Sequence, residues 1–292
     1  MQRVLSLFLA LSFTVFSAKP SWCIDNYMPK IEQALQLREE SRKKLGEPLG
    51  SETASFIAFV AAMSMVSVSE VVTLKEAVTT KLLASGWEIS REDILMITFA
   101  ATLSGKTPQE LLEIREKVGR ELIASGQSIT SEDSSILTLA VIVSGKSVKE
   151  LIDLRQAVTK QVLVNGEDTS NKDVSEITFT ASFCGKSVKE LLDLREDVSQ
   201  AMEFAGQDIS NEDLLILTQT AALSGKKPKE LAELRDLVRG QLIKKELSII
   251  KNKDISLATM MTLAETIQPK LMHKSVSLPI PANTLNRPAV KK

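Results

Sequence analysis

The stretch SGKTPQELLEIREKV, which begins at Ser104, decides the fold because it recurs at intervals of 40 residues. The later copies are SGKSVKELIDLRQAV from Ser144, CGKSVKELLDLREDV from Cys184 and SGKKPKELAELRDLV from Ser224. A weaker copy, SMVSVSEVVTLKEAV, begins at Ser64 in the same register. Periods of roughly 20 to 50 residues are typical of stacked supersecondary units. Copies that keep register without an insertion therefore predict a repeat protein.

Each unit has the pattern of a helical hairpin. In one unit, Thr107 and Glu110 form the S/T-x-x-E capping box, and Pro108 occupies the first helical position, where its missing N–H costs nothing. The second half of the unit recurs as ISREDILMITFAATL, ITSEDSSILTLAVIV, TSNKDVSEITFTASF and ISNEDLLILTQTAAL. This half predicts a second helix that begins after a Ser or Thr and ends at a glycine such as Gly105.

The ends of the chain carry weaker copies of the unit. We count six hairpins, which span roughly 29–64, 68–104, 107–144, 147–184, 187–224 and 227–268. The predicted fold is therefore all-α: an α-solenoid, or superhelix, of about six two-helix hairpins over residues 19–268. Atypical terminal units are expected to cover the two end faces of such a stack. Residues 269–292 contain four prolines and carry five basic residues without an acidic one, so we predict a disordered basic tail.

The first 18 residues have the pattern of an export signal. Arg3 precedes the apolar run Val4–Phe16, and Ser17 and Ala18 are small residues suited to cleavage. Cleavage after Cys23 is the alternative. The run is too short to span a bilayer as a helix, and no later stretch is longer, so the mature chain is predicted to lack a transmembrane segment. We expect a secreted or periplasmic protein, and a bacterial source is favoured.

Composition argues against several classes of function. The formal charge is −1, which speaks against a nucleic-acid partner, and one histidine and two cysteines leave little for a His-based triad or a Cys₄ zinc site. The stretch from Ala100 to Thr107 fits a relaxed nucleotide-loop pattern, but it lacks the first glycine and follows a helix instead of a strand. We therefore predict no bound nucleotide, cofactor or metal ion, and no enzymatic activity.

The two cysteines leave one question open. Cys184 stands where other units have a serine, and a reactive thiol would need a neighbouring base that the sequence does not supply. We therefore expect a serine-like role at a helix end. A disulfide bond between Cys23 and Cys184 after export is an alternative that the sequence does not decide.

Arginine recurs at one position of the first helix of the unit. A basic row that binds an acidic ligand is one interpretation. The favoured interpretation is structural, because acidic residues recur as regularly and Arg is suited to bidentate pairing with capping carboxylates such as Asp93, Asp133, Asp173 and Asp213. The predicted structural ion pairs involve Arg115, Arg155, Arg195 and Arg235.

The second helix of the unit is almost free of charge and carries hydroxyl residues in register. One interpretation is an uncharged groove for an extended peptide or polymer, built from successive second helices. The other is that this helix is buried, with each threonine bonded to its own i−4 carbonyl. The candidate partner-binding residues are Thr98, Thr102, Thr138, Thr178, Ser182 and Thr218.

These observations predict an exported, non-catalytic scaffold that binds a protein, peptide or polymer partner. A structural envelope protein that self-associates is the alternative. A hydrolase with two catalytic carboxylates is a weaker alternative, because the acidic residues recur in every unit while a catalytic pair should be unique.

Overall fold

The computed structural model describes residues 21–48, 51–86, 89–128, 130–164, 170–246 and 251–275, and this part of the chain is helical throughout, without a strand. The predicted all-helical class and its hairpins are confirmed. The helices that begin each hairpin, here called outer helices, are α1 Ser21–Leu45, α3 Val68–Ala84, α5 Pro108–Ala124, α7 Val148–Val164, α9 Val188–Phe204 and α11 Pro228–Glu246. Their partners, the inner helices, are α2 Glu52–Ser64, α4 Arg91–Ser104, α6 Ser131–Ser144, α8 Asn171–Cys184, α10 Asn211–Ser224 and α12 Asn252–Thr262. A further helix, α13, spans Ala264–Ser275.

Local capping explains why the helices begin and end at these positions. The N–H of Glu110 donates to Thr107 Oγ1 at 3.3 Å, and the Glu110 carboxylate accepts from the N–H of Thr107 at 2.8 Å. The inner helix α4 begins with the corresponding pair, Ser90 and Asp93. It ends at Gly105, whose φ of 66° lies in the left-handed region that glycine reaches without strain. The same signals recur in the middle units, whose outer helices have 17 residues and whose inner helices have 14.

The six inner helices pack side by side in chain order, and the last packs against the first. The outer helices form a second layer around them, in which α11 contacts α1. At the junction, Ser55 of α2 donates a hydrogen bond to Asp254 of α12, with 2.6 Å between Oγ and Oδ1. The hairpins thus form a closed double ring. An open stack with two end faces was expected; instead the two terminal hairpins cover each other, because they keep the side chains that join neighbouring units.

The ring has two different ends. At the end here called the mouth, outer helices finish and inner helices begin; at the opposite end, here called the floor, inner helices finish and the next outer helix begins. Inner helices are apolar almost all round because they pack against the outer layer on one side and face the middle of the ring on the other.

In the described part of the chain no single helix has the length and apolar character to cross a membrane. The bent pair α2 and α3 together has the length and composition of a membrane span, and nothing beyond length and composition supports one there.

Helix α13 crosses the floor and contacts all six inner helices. Ile267 and Leu271 are buried beneath the ring. Gln268 and Lys270 donate to the carbonyls of Ala62 and Leu223, which lie in the last turns of α2 and α10 and lack partners within their own helices.

The prediction that folded structure stops at Pro269 is therefore wrong. Pro269 lies inside α13, which continues to Ser275, because packing against the ring outweighs the loss of one helical hydrogen bond. The predicted disordered tail thus overlaps a helix over residues 269–275. The rest of it, 276–292, and the predicted signal, 1–18, lie outside the described residues.

Candidate functional site

The middle of the ring holds an apolar cavity of about 100 Å³ that is closed below by α13. Its wall is rich in aromatic rings: Phe59 and Phe99 have centroids 5.3 Å apart, and Phe179 and Phe183 have centroids 4.7 Å apart. Leu271 of α13 contributes to the lining from the floor. Such a wall suits an apolar group, since pockets of this kind fix their ligands with few polar contacts.

Charged side chains surround the mouth of the cavity, one from each inner helix at the same register position. Lys172 Nζ lies 2.7 Å from a carboxylate oxygen of Glu132 and 3.6 Å from one of Glu212. Lys253 Nζ, from the next inner helix, lies 2.5 Å from the same Glu212, at Oε1. These pairs fix the side chains around the opening. The six residues at this register position are Glu52, Glu92, Glu132, Lys172, Glu212 and Lys253, and Arg91, which pairs with Glu52 at 2.8 Å, also lines the opening.

Exposed apolar side chains also gather at the mouth end, near the last turns of the outer helices. The most exposed are Phe204, at 84%, and Val164, at 81%. Because outer helices finish where inner helices begin, these side chains lie at the same end of the ring as the cavity opening. Apolar surface of this kind rimmed by polar residues is typical of interaction sites. The set consists of Leu83, Ile123, Leu163, Val164, Phe204 and Ile243.

The hydroxyl residues that were predicted to line a groove do not lie at the cavity. Thr98, Thr138, Thr178 and Thr218 are buried, and each Oγ1 donates to its own i−4 carbonyl at 2.7 Å. Ser182 is buried as well and donates to the carbonyl of Phe179, while Thr102 is half-buried and donates to that of Thr98. Ring closure turns this face toward neighbouring helices, so its placement argues against the predicted groove.

Replacing Thr138 by Lys is expected to unfold the protein or to lower its melting temperature sharply, because its side chain is fully buried and an unpaired ammonium there cannot be hydrated. Thr138→Val, which keeps the shape, should change the free energy of unfolding by less than about 1 kcal/mol. Thermal unfolding followed by circular dichroism measures both. A folded Thr138→Lys variant with unchanged melting would show that this face is open to solvent.

The arginine row is buried between units and forms a repeated network. Arg115 donates from Nε to Ser135 Oγ at 3.0 Å, and Ser135 donates to Asp93 of the preceding unit at 2.5 Å. Arg115 Nη2 lies 3.6 Å from that carboxylate. In the next unit Arg155 repeats the arrangement with Ser175 and Asp133, and Arg235 repeats it with Ser256 and Asp213.

The ring closes through this same network. Arg38 donates from Nε to Ser55 Oγ at 2.8 Å, and its Nη2 lies 3.5 Å from Asp254 of the last unit. Between successive units, the serine and the aspartate that it binds are 42 or 43 residues apart in sequence. At the closure of the ring, the corresponding residues Ser55 and Asp254 are 199 residues apart.

Two units depart from the pattern. In the second unit all three partners are lost together: the arginine position holds Lys75, the serine position holds Leu95 and the aspartate position holds Thr53. In the fifth, Leu215 takes the position of the serine while Arg195 and Asp173 remain. Loss of all three partners at one interface is what a joint network predicts, since any one of them left buried alone would be costly.

Two aspartates of the network titrate in opposite directions. Burial raises the pKa of Asp254, although Ser55 and Arg38 counteract part of that shift. Burial also acts on Asp93, but hydrogen bonds from Ser131, Ser135 and Ser90 outweigh it and lower its pKa. The junction between the last and first units therefore stabilises its carboxylate less than the interface that holds Asp93 does. One reason is local, because Lys251, the residue that precedes α12, makes no side-chain capping hydrogen bond.

Glu176, a residue of the cavity wall, was not among the site residues predicted from the sequence. Glu176 is the only charged residue at its register position, where the other inner helices have Phe56, Met96, Ile136, Ile216 and Leu257. A lone acid inside an otherwise uncharged helix face was the signal available for it.

The sequence matches no protein-family model and no curated protein. Among the residues that the structure describes, no group of three or more His, Cys, Asp or Glu side chains is placed to hold a metal ion. The half-buried Cys184 lies at the end of α8, as the expected serine-like role requires, while the side chain of Cys23 lies outside the described part, so the alternative of a disulfide bond between them is not tested.

Proposed function

We propose that the protein is an exported, non-catalytic binding protein whose working surface is the mouth end of the ring. The observation that carries this proposal is the aromatic-lined cavity, which opens inside a rim of paired charges and is closed by α13 on the other side. We interpret the 40-residue repeat as an α-solenoid closed on itself. Export is supported by the sequence of the first 18 residues alone.

The partner that fits this surface presents an apolar group to the cavity. A volume of about 100 Å³ admits a small molecule or one side chain of a peptide, not an extended segment. The exposed apolar side chains at the mouth end lie on the outer helices, around the cavity opening. They offer further contact for a protein that inserts such a group. We therefore favour a protein or peptide partner that inserts one apolar side chain.

Self-association is the second candidate, and the same exposed side chains favour it. Phe204 and Leu163 stand at corresponding ends of successive outer helices, so copies of the chain facing each other at the mouth would cover both. Light scattering over a range of protein concentrations separates the two functions. A monomer at every concentration supports binding of a different partner.

Filling the cavity tests the proposal. Met96→Trp adds bulk at a half-buried position of the wall and is expected to reduce binding of a small, uncharged apolar probe, such as a neutral fluorescent naphthalene derivative, at least tenfold. Met65→Trp, at an exposed position of the floor end, is the matched control and should leave binding unchanged. Titration by fluorescence measures both. Equal binding by the two variants would place the probe elsewhere and overturn the proposal.

A further inference from the structure

The cavity wall contains one carboxylate that the packing of the ring does not require. Glu176 of α8 lies one turn below the rim, and Phe179 follows it on the same wall. Its side chain is half-buried, and its carboxylate makes no hydrogen bond or ion pair with any residue in the described part of the chain. All the other acids that line the cavity belong to the rim.

The nearest ammonium is engaged elsewhere. Lys172 precedes Glu176 by one turn, but its Nζ lies between Glu132 and Glu212, at 2.7 and 3.6 Å. These two glutamates come from the helices on either side of α8, so the pairing holds Lys172 in the rim. Glu176 is left facing an apolar cavity.

The surroundings of Glu176 work against its ionised form. Burial raises its pKa to about 7; Lys172 lowers the pKa, and the carboxylates of Glu212, Asp173 and Glu132 raise it. Those are the charged groups that face it from α6, α8 and α10. The positive end of α8 is of little help, because the helix dipole weakens beyond the first turn. A cation brought to this position would replace an unfavourable field with a close pair of opposite charges.

We propose that the cavity binds an organic ammonium group, with its apolar body against the phenylalanine rings and its N–H groups donating to the carboxylate of Glu176. The proposal rests on the function proposed above and names the chemistry of the inserted group. Aromatic faces attract cations, and a primary ammonium can also donate directly to a carboxylate. The group can belong to a free alkylamine or to a lysine side chain of a partner peptide, since both end in the same aliphatic ammonium.

Calorimetric titration at pH 8 with three probes of equal length tests this. The wild-type protein is expected to bind n-butylamine at least tenfold more tightly than 1-butanol or butyrate, because only the amine supplies a cation. Binding of the amine should weaken as the pH falls through about 7, where Glu176 becomes protonated. Nα-acetyl-lysine methylamide carries the same aliphatic ammonium on a peptide backbone, so it distinguishes a peptide lysine from a free alkylamine. If it binds as well as butylamine, the mouth accepts a peptide lysine.

Glu176→Gln is the decisive variant. It should weaken butylamine binding about tenfold and leave butanol binding unchanged, while Glu116→Gln, at an exposed position of the outer helix α5 away from the cavity, is the matched control and should retain amine binding. Folding of the Gln variant is checked by its stability at pH 8, which should rise, because an acid whose pKa is raised by folding destabilises the protein once it is ionised.

Equal binding of amine and alcohol, or unchanged amine binding by Glu176→Gln, would overturn the ammonium proposal. In that case loss of the apolar probe in Met96→Trp would still support the cavity as the binding site. Retention of that probe in Met96→Trp would instead overturn the proposed function itself.

Discussion

Replacing Asp254 by Ala is expected to lower the free energy of unfolding by about 3–5 kcal/mol, because it leaves the guanidinium of Arg38 buried without its carboxylate. Both side chains are almost completely buried, so water cannot take the place of the missing partner. Ser55 would also lose its acceptor at 2.6 Å. Urea unfolding, followed by far-UV circular dichroism, measures the change.

Two further variants separate a paired network from simple packing. The double variant Arg38→Met with Asp254→Ala should recover part of the loss, because it no longer buries an unpaired charge. Lys75→Met is the matched control at the interface that lacks the network, and it should change stability by less than about 0.5 kcal/mol. A cost below about 1 kcal/mol for Asp254→Ala would show that the contact between first and last units contributes little.

Removing the apolar contacts of α13 is expected to have an effect of similar size. Ile267→Ala and Leu271→Ala should each cost about 2–5 kcal/mol, because both side chains are almost completely buried against the inner helices and truncation leaves a cavity. Leu271→Ala should also enlarge the ligand cavity, since this side chain contributes to its lining. Urea unfolding measures the first effect, and a longer alkyl probe that binds only the variant measures the second.

Glu265→Ala, on the exposed side of α13, is the control for these changes. Its carboxylate lies 2.5 Å from Lys30 Nζ, but the side chain is 73% exposed, and such pairs contribute about 0–1 kcal/mol. If Ile267→Ala cost no more than this control, α13 would be a loosely attached segment and the floor of the cavity would be open.

Helices and hairpins could be predicted from the sequence because their signals are local. Thr107 with Glu110, Ser90 with Asp93 and the positive φ of Gly105 depend only on residues within one turn. The closure of the ring depends on residues 199 apart, and local patterns carry no information on whether two ends meet. One signal was nevertheless present, because Arg38 and Asp254 keep the register of the network although an exposed end face would not need them.

The site was harder to predict for the same reason. Which face of an inner helix meets the cavity is set by the curvature of the closed ring, so Thr138 and Ile136, two positions apart, could not be ranked from sequence. Pro269 misled the prediction of the chain's last helix, because the rule that proline ends a helix is a local preference and α13 is held by tertiary contacts. Glu176 was visible as an isolated charge but acquires meaning only beside a cavity.

Closure through one distant contact has a consequence for how the molecule forms and opens. Contacts between successive hairpins bridge short stretches of chain and carry a small entropic cost of loop closure, whereas the junction of α12 with α1 and α2 can form only after most of the chain is in place. Its carboxylate, Asp254, is also less stabilised than that of Asp93, because burial raises the pKa of Asp254. Glu52 and Phe56 line the cavity on one side of this junction, and Lys253 and Leu257 line it on the other. Separation of α12 from α1 and α2 would therefore open the cavity along its side, and a ligand could then enter without passing the charged rim.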